Sequence, residues 1–375
     1  MQRMRTFKHN AMDFPVRFDY ESNCRPEEKR ATEETTVPTY YGDTTGTLSG
    51  SQSGGAQILR GGLEPIDPYT GRYNDQLYGD AQALAGHARG GNDIIYGVSA
   101  SYSTELIAGD AATMDGSSRG GNDTIFGGFG SHLSITIVGD ALELHGASRG
   151  GNDLIYPGSN GASGGGFVAG DARTMDGTTR GGDDTIIGGG IGMALYGDAS
   201  ILSGHARGGN DHFRLSDGAQ SLYAYGDGRL TEHARGGDDV IVGGSNAPYV
   251  MMYGDGALSD QARGGNDILI AGSNSFEIMW GDGPKTGTAR GGSDTFVFAT
   301  GSGRDQIMDF EQGKDHIDLT GYASQGIHGF ADLTLVAGAV IGDSDPNATS
   351  IQFSTSSVVV VHGVPHLTAT DFLFA

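Results

Sequence analysis

The chain has 375 residues, with 46 Asp and Glu against 23 Lys and Arg, for a formal charge of -23; so acidic a balance argues against nucleic acid and anionic membranes as partners, and for cations. Glycine supplies 67 residues, about 18% where roughly 7% is usual, but without the Gly-x-y period of collagen. A single cysteine, Cys24, cannot form an internal disulfide, and no apolar run approaches the roughly 18 residues of a membrane span.

Residues 1–40 are polar, charged and unpatterned, as expected of a flexible N-terminal arm. Their mixed charge and lack of an apolar core region are unlike a secretory signal. From Tyr40 to Tyr73 the composition shifts to Gly, Ser and Thr, and Arg60-Gly61-Gly62 reads as a degenerate first rung. A regular repeat follows. Its motif, Arg89-Gly90-Gly91-Asn92-Asp93-Ile94-Ile95, returns with arginines at 119, 149, 180, 207, 235, 263 and 290, spaced 30, 30, 31, 27, 28, 28 and 27 residues apart. In step with it runs a Gly-Asp pair at Asp80, Asp110, Asp140, Asp171, Asp198, Asp227, Asp255 and Asp282. A fixed period of this length marks a solenoid.

Alternation of period two places one apolar ladder at Ile95, Ile125, Ile155, Ile186, Phe213, Ile241, Leu269 and Phe296. A second ladder runs Leu77, Ile107, Ile137, Val168, Leu195, Ala224, Met252 and Met279. A third apolar position, from Leu84 and Met114 to Leu258, gives way to Lys285 in the last unit. Each unit therefore reads as two short strands and an apolar turn. The expected fold is all-β: a parallel β-roll or β-helix solenoid of about nine rungs over residues 41–300, a rod on the order of 40 Å long at the usual inter-strand spacing, with a C-terminal β cap over 301–375.

Stacking such units stacks their aspartates. Beside the Gly-Asp column runs a second one, Asp93, Asp123, Asp153, Asp184, Asp211, Asp239, Asp267 and Asp294. Like charges one rung apart repel by an amount of the order of kcal/mol per pair, and eight arginines offset only half of the sixteen aspartates. Bound cations are the simplest remedy. Carboxylates and carbonyls at tight glycine turns suit Ca²⁺, which takes six to eight oxygen ligands; the alternative is a metal-free ladder of Arg-Asp pairs.

The stretch Gly301-Ser302-Gly303-Arg304-Asp305-Gln306-Ile307-Met308, and the latter part of each repeat, as in Gly121-Asn122-Asp123-Thr124-Ile125-Phe126, resemble the calcium-binding nonapeptide of the RTX (repeat-in-toxin) β-roll family. Asp294-Thr295-Phe296-Val297-Phe298, Asp309-Phe310, Asp315-His316-Ile317-Asp318-Leu319 and the terminal Asp371-Phe372-Leu373-Phe374-Ala375 look like the C-terminal region of serralysin-type secreted proteins. That resemblance implies calcium at Gly301, Gly303, Asp305 and the repeat aspartates. It also implies an uncleaved type I secretion signal within 301–375 and folding on calcium outside the cell. The chain departs from the family in having a small residue and arginine where the signature opens on two glycines, and in its longer period.

No His-Glu-x-x-His zinc motif is present, and the Gly-x-Ser-x-Gly matches around Ser118, Ser148 and Ser163 lack a strand-turn-helix context. His87, His205 and His233 read as polar turn residues. Tyr78, Tyr196, Tyr225, Tyr253 and Trp280 precede Gly-Asp pairs on the outward face, where rings either pack on one another or stack on sugars. In Asp211-His212-Phe213-Arg214 the outward positions are charged, so His212, Arg214 and Tyr225 are the candidate groups for proton transfer on a polysaccharide. Apolar outward positions such as Tyr96, Phe126 and Tyr156 call for cover, and a second copy of the chain is one source. The leading expectation is a secreted, calcium-binding extracellular binding or matrix protein; the runner-up is a polysaccharide lyase or epimerase on the same solenoid.

Overall fold

Alternating side chains between glycine corners generate three strands per turn. The computed structural model describes residues 37–62, 73–158, 165–340 and 345–375. A regular turn consists of Asn74–Tyr78, Ala81–Leu84 and Ile94–Tyr96, and the next of Thr104–Ala108, Ala111–Met114 and Thr124–Phe126. The expected apolar turn is thus a strand. Successive turns stack in parallel and in register, Leu77 on Ile107, Leu84 on Met114 and Ile95 on Ile125. The stacks form a first sheet of 13 strands, a second of 7 and a third of 11. The chain makes about eight turns, close to the nine expected. The second sheet ends at Arg229–Leu230, after which single bridges carry Leu230 to Leu258 and Leu258 to Lys285.

Two apolar columns fill the interior. Leu77, Ile95, Ile107, Ile125 and their successors make the larger core, between the first and third sheets. Ala81, Leu84, Ala88 and Met114 begin the smaller one, inside the second sheet. Both aspartates of each turn fall in sequence between a residue of one core and a residue of the other, as Asp80 does between Leu77 and Ala81.

At the C-terminal end Val358–Val361 joins the first sheet parallel to Arg304–Ile307, and Thr349–Gln352 and Thr334–Ala337 add to it antiparallel, so the stack ends on a hairpin. At the other end the degenerate rung has a different register from the expected one. Arg60 pairs with Tyr96, and the partner of Arg89 is Ser53. Ser53-Gly54-Gly55 is therefore the first rung's form of Arg-Gly-Gly, and the Arg60 guanidinium lies 4.1 Å from the Tyr96 ring centre on the outer face. Most of the expected arm, residues 1–36, and Cys24 with it, lies outside the described residues, while Thr39–Tyr41 is a strand of the first sheet.

Candidate metal-binding columns

All sixteen repeat aspartates are buried, each 2% exposed or less. In the Gly-Asp column the carboxylate accepts the amide of the second glycine of Arg-Gly-Gly in its own turn: Gly151 N–H to Asp140 at 2.8 Å, Gly182 to Asp171 at 2.8 Å, Gly209 to Asp198 at 2.8 Å. In the second column each carboxylate from Asp123 on accepts the amide of the aspartate one turn earlier, as in Asp123 N–H to Asp153 Oδ1 at 2.6 Å, Asp184 to Asp211 at 2.7 Å and Asp239 to Asp267 at 2.8 Å, while Asp93 accepts that of Gln57. These bonds use one oxygen of each group except Asp110, which shares the Gly121 amide between both. The other is buried without a partner in Asp80, Asp140, Asp171, Asp198, Asp227 and Asp255, and in every member of the second column from Asp93 to Asp294.

The orphan oxygens of the second column from Asp93 to Asp267 face main-chain carbonyls. A Cβ placed on Gly197 would lie 1.8 Å from the Gly226 carbonyl oxygen and 2.0 Å from Asp211 Oδ2; on Gly109 the corresponding distances are 1.6 Å to Gly139 and 2.0 Å to Asp123. A methyl group would fill this cradle, which is why Gly precedes Asp. Two acceptors with no donor between them are unfavourable in a site shut off from water, where a buried polar atom left unsatisfied costs about 1–3 kcal/mol. Burial accordingly pushes Asp80 up to about 7, Asp93 to about 6 and Asp294 to about 8, and it raises the interior members from Asp110 to Asp267 as well, with neighbouring aspartates adding to the effect in most of them. A divalent cation fits this donor set of carboxylate and carbonyl oxygens. Among the described residues no three His, Cys, Asp or Glu side chains gather into a metal cage, so a cation here relies on main-chain carbonyls for much of its shell.

The Arg-Asp ladder is absent. Every repeat arginine from Arg89 to Arg290 is exposed, and among the described residues none is in an ion pair. The two glycines after each arginine turn the chain, leaving the guanidinium outside and the aspartate inside. The columns close differently at the C-terminal end. Lys285 Nζ lies 2.7 Å from Asp282 and 2.7 Å from Glu311, while Asp309 accepts the amides of Gly281 and Gly283, and Asp315 those of Asp294 and Glu311.

Asp305 belongs to a different pair. It is fully buried, follows Gly301 and Gly303 at φ of 81° and 120°, accepts the Glu277 amide at 3.1 Å and retains one orphan oxygen. Glu277 itself is buried and accepts from Gly272 and Ser275. Asp75 and Glu105 form a similar pair of buried neighbours on adjacent turns, each with an orphan oxygen. Sequence reasoning missed Asp75, Glu105 and Glu277, because the intervening turns put Ile135, Met193, Leu222 and Val250 in that column. It also missed Asp43, whose carboxylate accepts the Gly55 amide as Asp80 does that of Gly91; the Gly42-Asp43 pair was the available signal.

The proposed proton-transfer groups do not converge. His212 and Arg214 lie exposed on the third sheet, and Tyr225 lies on the first, stacked between Tyr196 at 4.9 Å and Tyr253 at 4.6 Å. Trp280 continues that stack at 4.3 Å, so the rings spend their faces on one another. Tyr96, Phe126 and Tyr156 stack in the same way at 5.0 Å. Ser118 and Ser148 are buried in the small-residue column beside the arginines, and Ser163 lies outside the described residues.

Comparison with known protein families matches residues 120–356 to the model described as Peptidase M10 serralysin C terminal. No curated protein matches the chain.

Proposed function

The chain belongs to the serralysin C-terminal family, and on that premise we propose that it is a calcium-dependent β-roll that works outside the cell as a binding or matrix protein. The observation that carries this reading is the pair of aspartate columns, whose buried, unpartnered oxygens face main-chain carbonyls in the second column and neighbouring carboxylates in the Gly-Asp column. Asp93 to Asp294 together with the Gly-Asp glycine carbonyls, Asp80 to Asp282, and Asp305 with the Gly301–Gly303 turn would hold the ions. Calcium bound there would supply the positive charge that the buried carboxylates other than Asp282 otherwise lack. The protein's own groups set the register through the amide-to-carboxylate ladder and exclude water with the two apolar cores.

This arrangement makes folding depend on the medium. Where free calcium is scarce, the columns are a liability and the chain stays extended, the state in which type I export machinery would pass it; outside, binding free energy becomes folding free energy. In this reading residues 301–375 combine the folding cap with the export signal, and the half-buried outer rows of Tyr96, Phe126 and Tyr156 would serve self-association. The test is far-UV circular dichroism of chelated protein titrated with calcium, with magnesium as control. A coil spectrum that turns to β with calcium alone is the expected result. A chelated protein already rich in β structure and indifferent to calcium sinks the reading.

A further inference from the structure

The repeat arginines form a basic column on this acidic molecule. Main-chain bridges link Arg89 to Arg119 and so on to Arg290, placing one exposed guanidinium per turn. Side chains one rung apart, about 4.8 Å, repel by about 1 kcal/mol per neighbouring pair even in water, and no carboxylate of the described residues offsets this by ion pairing. The carboxylates nearest in sequence to Arg235 hold main-chain amides instead, Glu232 that of Gly204 at 3.1 Å and Asp238 that of Asn266 at 2.7 Å. Over the last four of these turns the residues two before each arginine, His205, His233, Gln261 and Thr288, form a second wall. His205 and His233 stack at 4.9 Å, and with Arg207, Arg235, Arg263 and Arg290 they line a groove of about 320 Å³.

We propose that this groove binds a linear polyuronate, one sugar carboxylate per turn. An extended β-linked uronate chain advances by roughly the rung spacing per sugar and carries one carboxylate on each. The planar guanidinium is suited to paired hydrogen bonds with such a group. Nucleic acid fits less well, since its denser charge meets the field of a protein at -23, and apart from the His205–His233 stack the groove offers no ring on which bases could lie. The inference deepens the extracellular binding reading and rests on it for the folded rod.

The test uses calcium-loaded full chain and calorimetric titration with a uronate oligomer too short to gel with calcium. A neutral glucan oligomer of equal length and an oligothymidylate serve as comparisons. The expected result is salt-sensitive binding of the uronate alone, weakened at least tenfold by Arg235→Gln with Arg263→Gln. Arg119→Gln with Arg149→Gln, in the same column but outside the groove, should change it less than twofold. Equal binding of oligothymidylate, or a groove variant that binds as well as the parent, overturns the proposal. Circular dichroism on the same sample separates the two readings, because a β-rich protein that ignores the uronate overturns the groove and leaves calcium-dependent folding intact.

Discussion

The last turn and the turns before it solve one electrostatic problem in different ways. At the C-terminal end Lys285 replaces the apolar residue of the third column and brings its ammonium to Asp282, while Asp309 and Asp315 have both oxygens bonded to amides. None of these three carboxylates has an orphan oxygen. In the interior, Leu84, Met114, Leu144, Met175, Leu202, Leu230 and Leu258 occupy the lysine's place, and Asp140, Asp171, Asp198, Asp227 and Asp255 each retain an oxygen without a donor. A covalent cation can close a column at its end, where Lys285 still reaches water. Inside the stack a lysine per turn would cost the second core its apolar filling. Among the described residues these interior carboxylates therefore have no cationic partner.

Acidity gives the largest expected break in this contrast. Burial raises the folded aspartates, to about 6 for Asp93, about 7 for Asp80 and about 8 for Asp294, against 3.8 for the ordinary group. A raised folded value means that the folded state binds more protons, so in chelator stability is full below about pH 4 and is lost as the pH rises through about 6 to 8. Chelated protein should then be β-rich at pH 4.5 and unfold on neutralisation, while calcium-loaded protein keeps its melting temperature across that window. Thermal melts over pH 4–9 with and without chelator provide the measurement. A chelated fold that weakens on acidification would refute the account of the columns as proton-or-cation sites.

Lys285→Met should produce a smaller effect, confined to one end. Burial alone would lower the lysine's pKa, but its contacts with Asp282 and Glu311 raise it above the ordinary value. Removing it strands the Asp282 carboxylate. A cost of about 1–2 kcal/mol is expected, below that of a fully buried pair because the lysine side chain is 23% exposed. If the end turn then resembles the interior, raising calcium should recover part of the loss; denaturant melts at two calcium concentrations read both numbers. Loss that calcium leaves untouched would mean that Lys285 acts only through packing.

Much of this was legible from periodicity. Leu77 and Ile95 head ladders that alternation alone identifies, because one wrong residue would turn a whole face outward. The third strand was not legible, since Ala81-Gln82-Ala83-Leu84 buries only its ends and looks like a turn with one apolar residue. Arg60 misled because Arg-Gly-Gly spells the motif, whereas register follows the paired glycines, here after Ser53. The Arg-Asp question was beyond sequence for a geometric reason. Counting by twos from Asp93 back to Arg89 puts both on one face, and only the bend at Gly90 and Gly91 separates them. Likewise, spacing identified Asp211 as a column member but could not say which of its oxygens would be used.

That division of oxygens permits the finest test. Asp211 Oδ1 accepts the Asp184 amide at 2.7 Å, and Oδ2 is the orphan facing the Gly226 carbonyl across the Gly197 cradle. Asp211→Asn keeps the ladder acceptor and puts an N–H₂ donor where the orphan stood. In chelator the variant should be more stable than the parent by about 1 kcal/mol, since an unpaired buried acceptor becomes a hydrogen-bonded pair. In calcium the order should reverse, because an amide is a poorer ligand and one negative charge is gone. Urea melts in both media decide it. A variant weaker in both would show that Oδ2 has a partner of another kind, whereas the crossover would show that each interior turn is built to remain incomplete until a cation arrives.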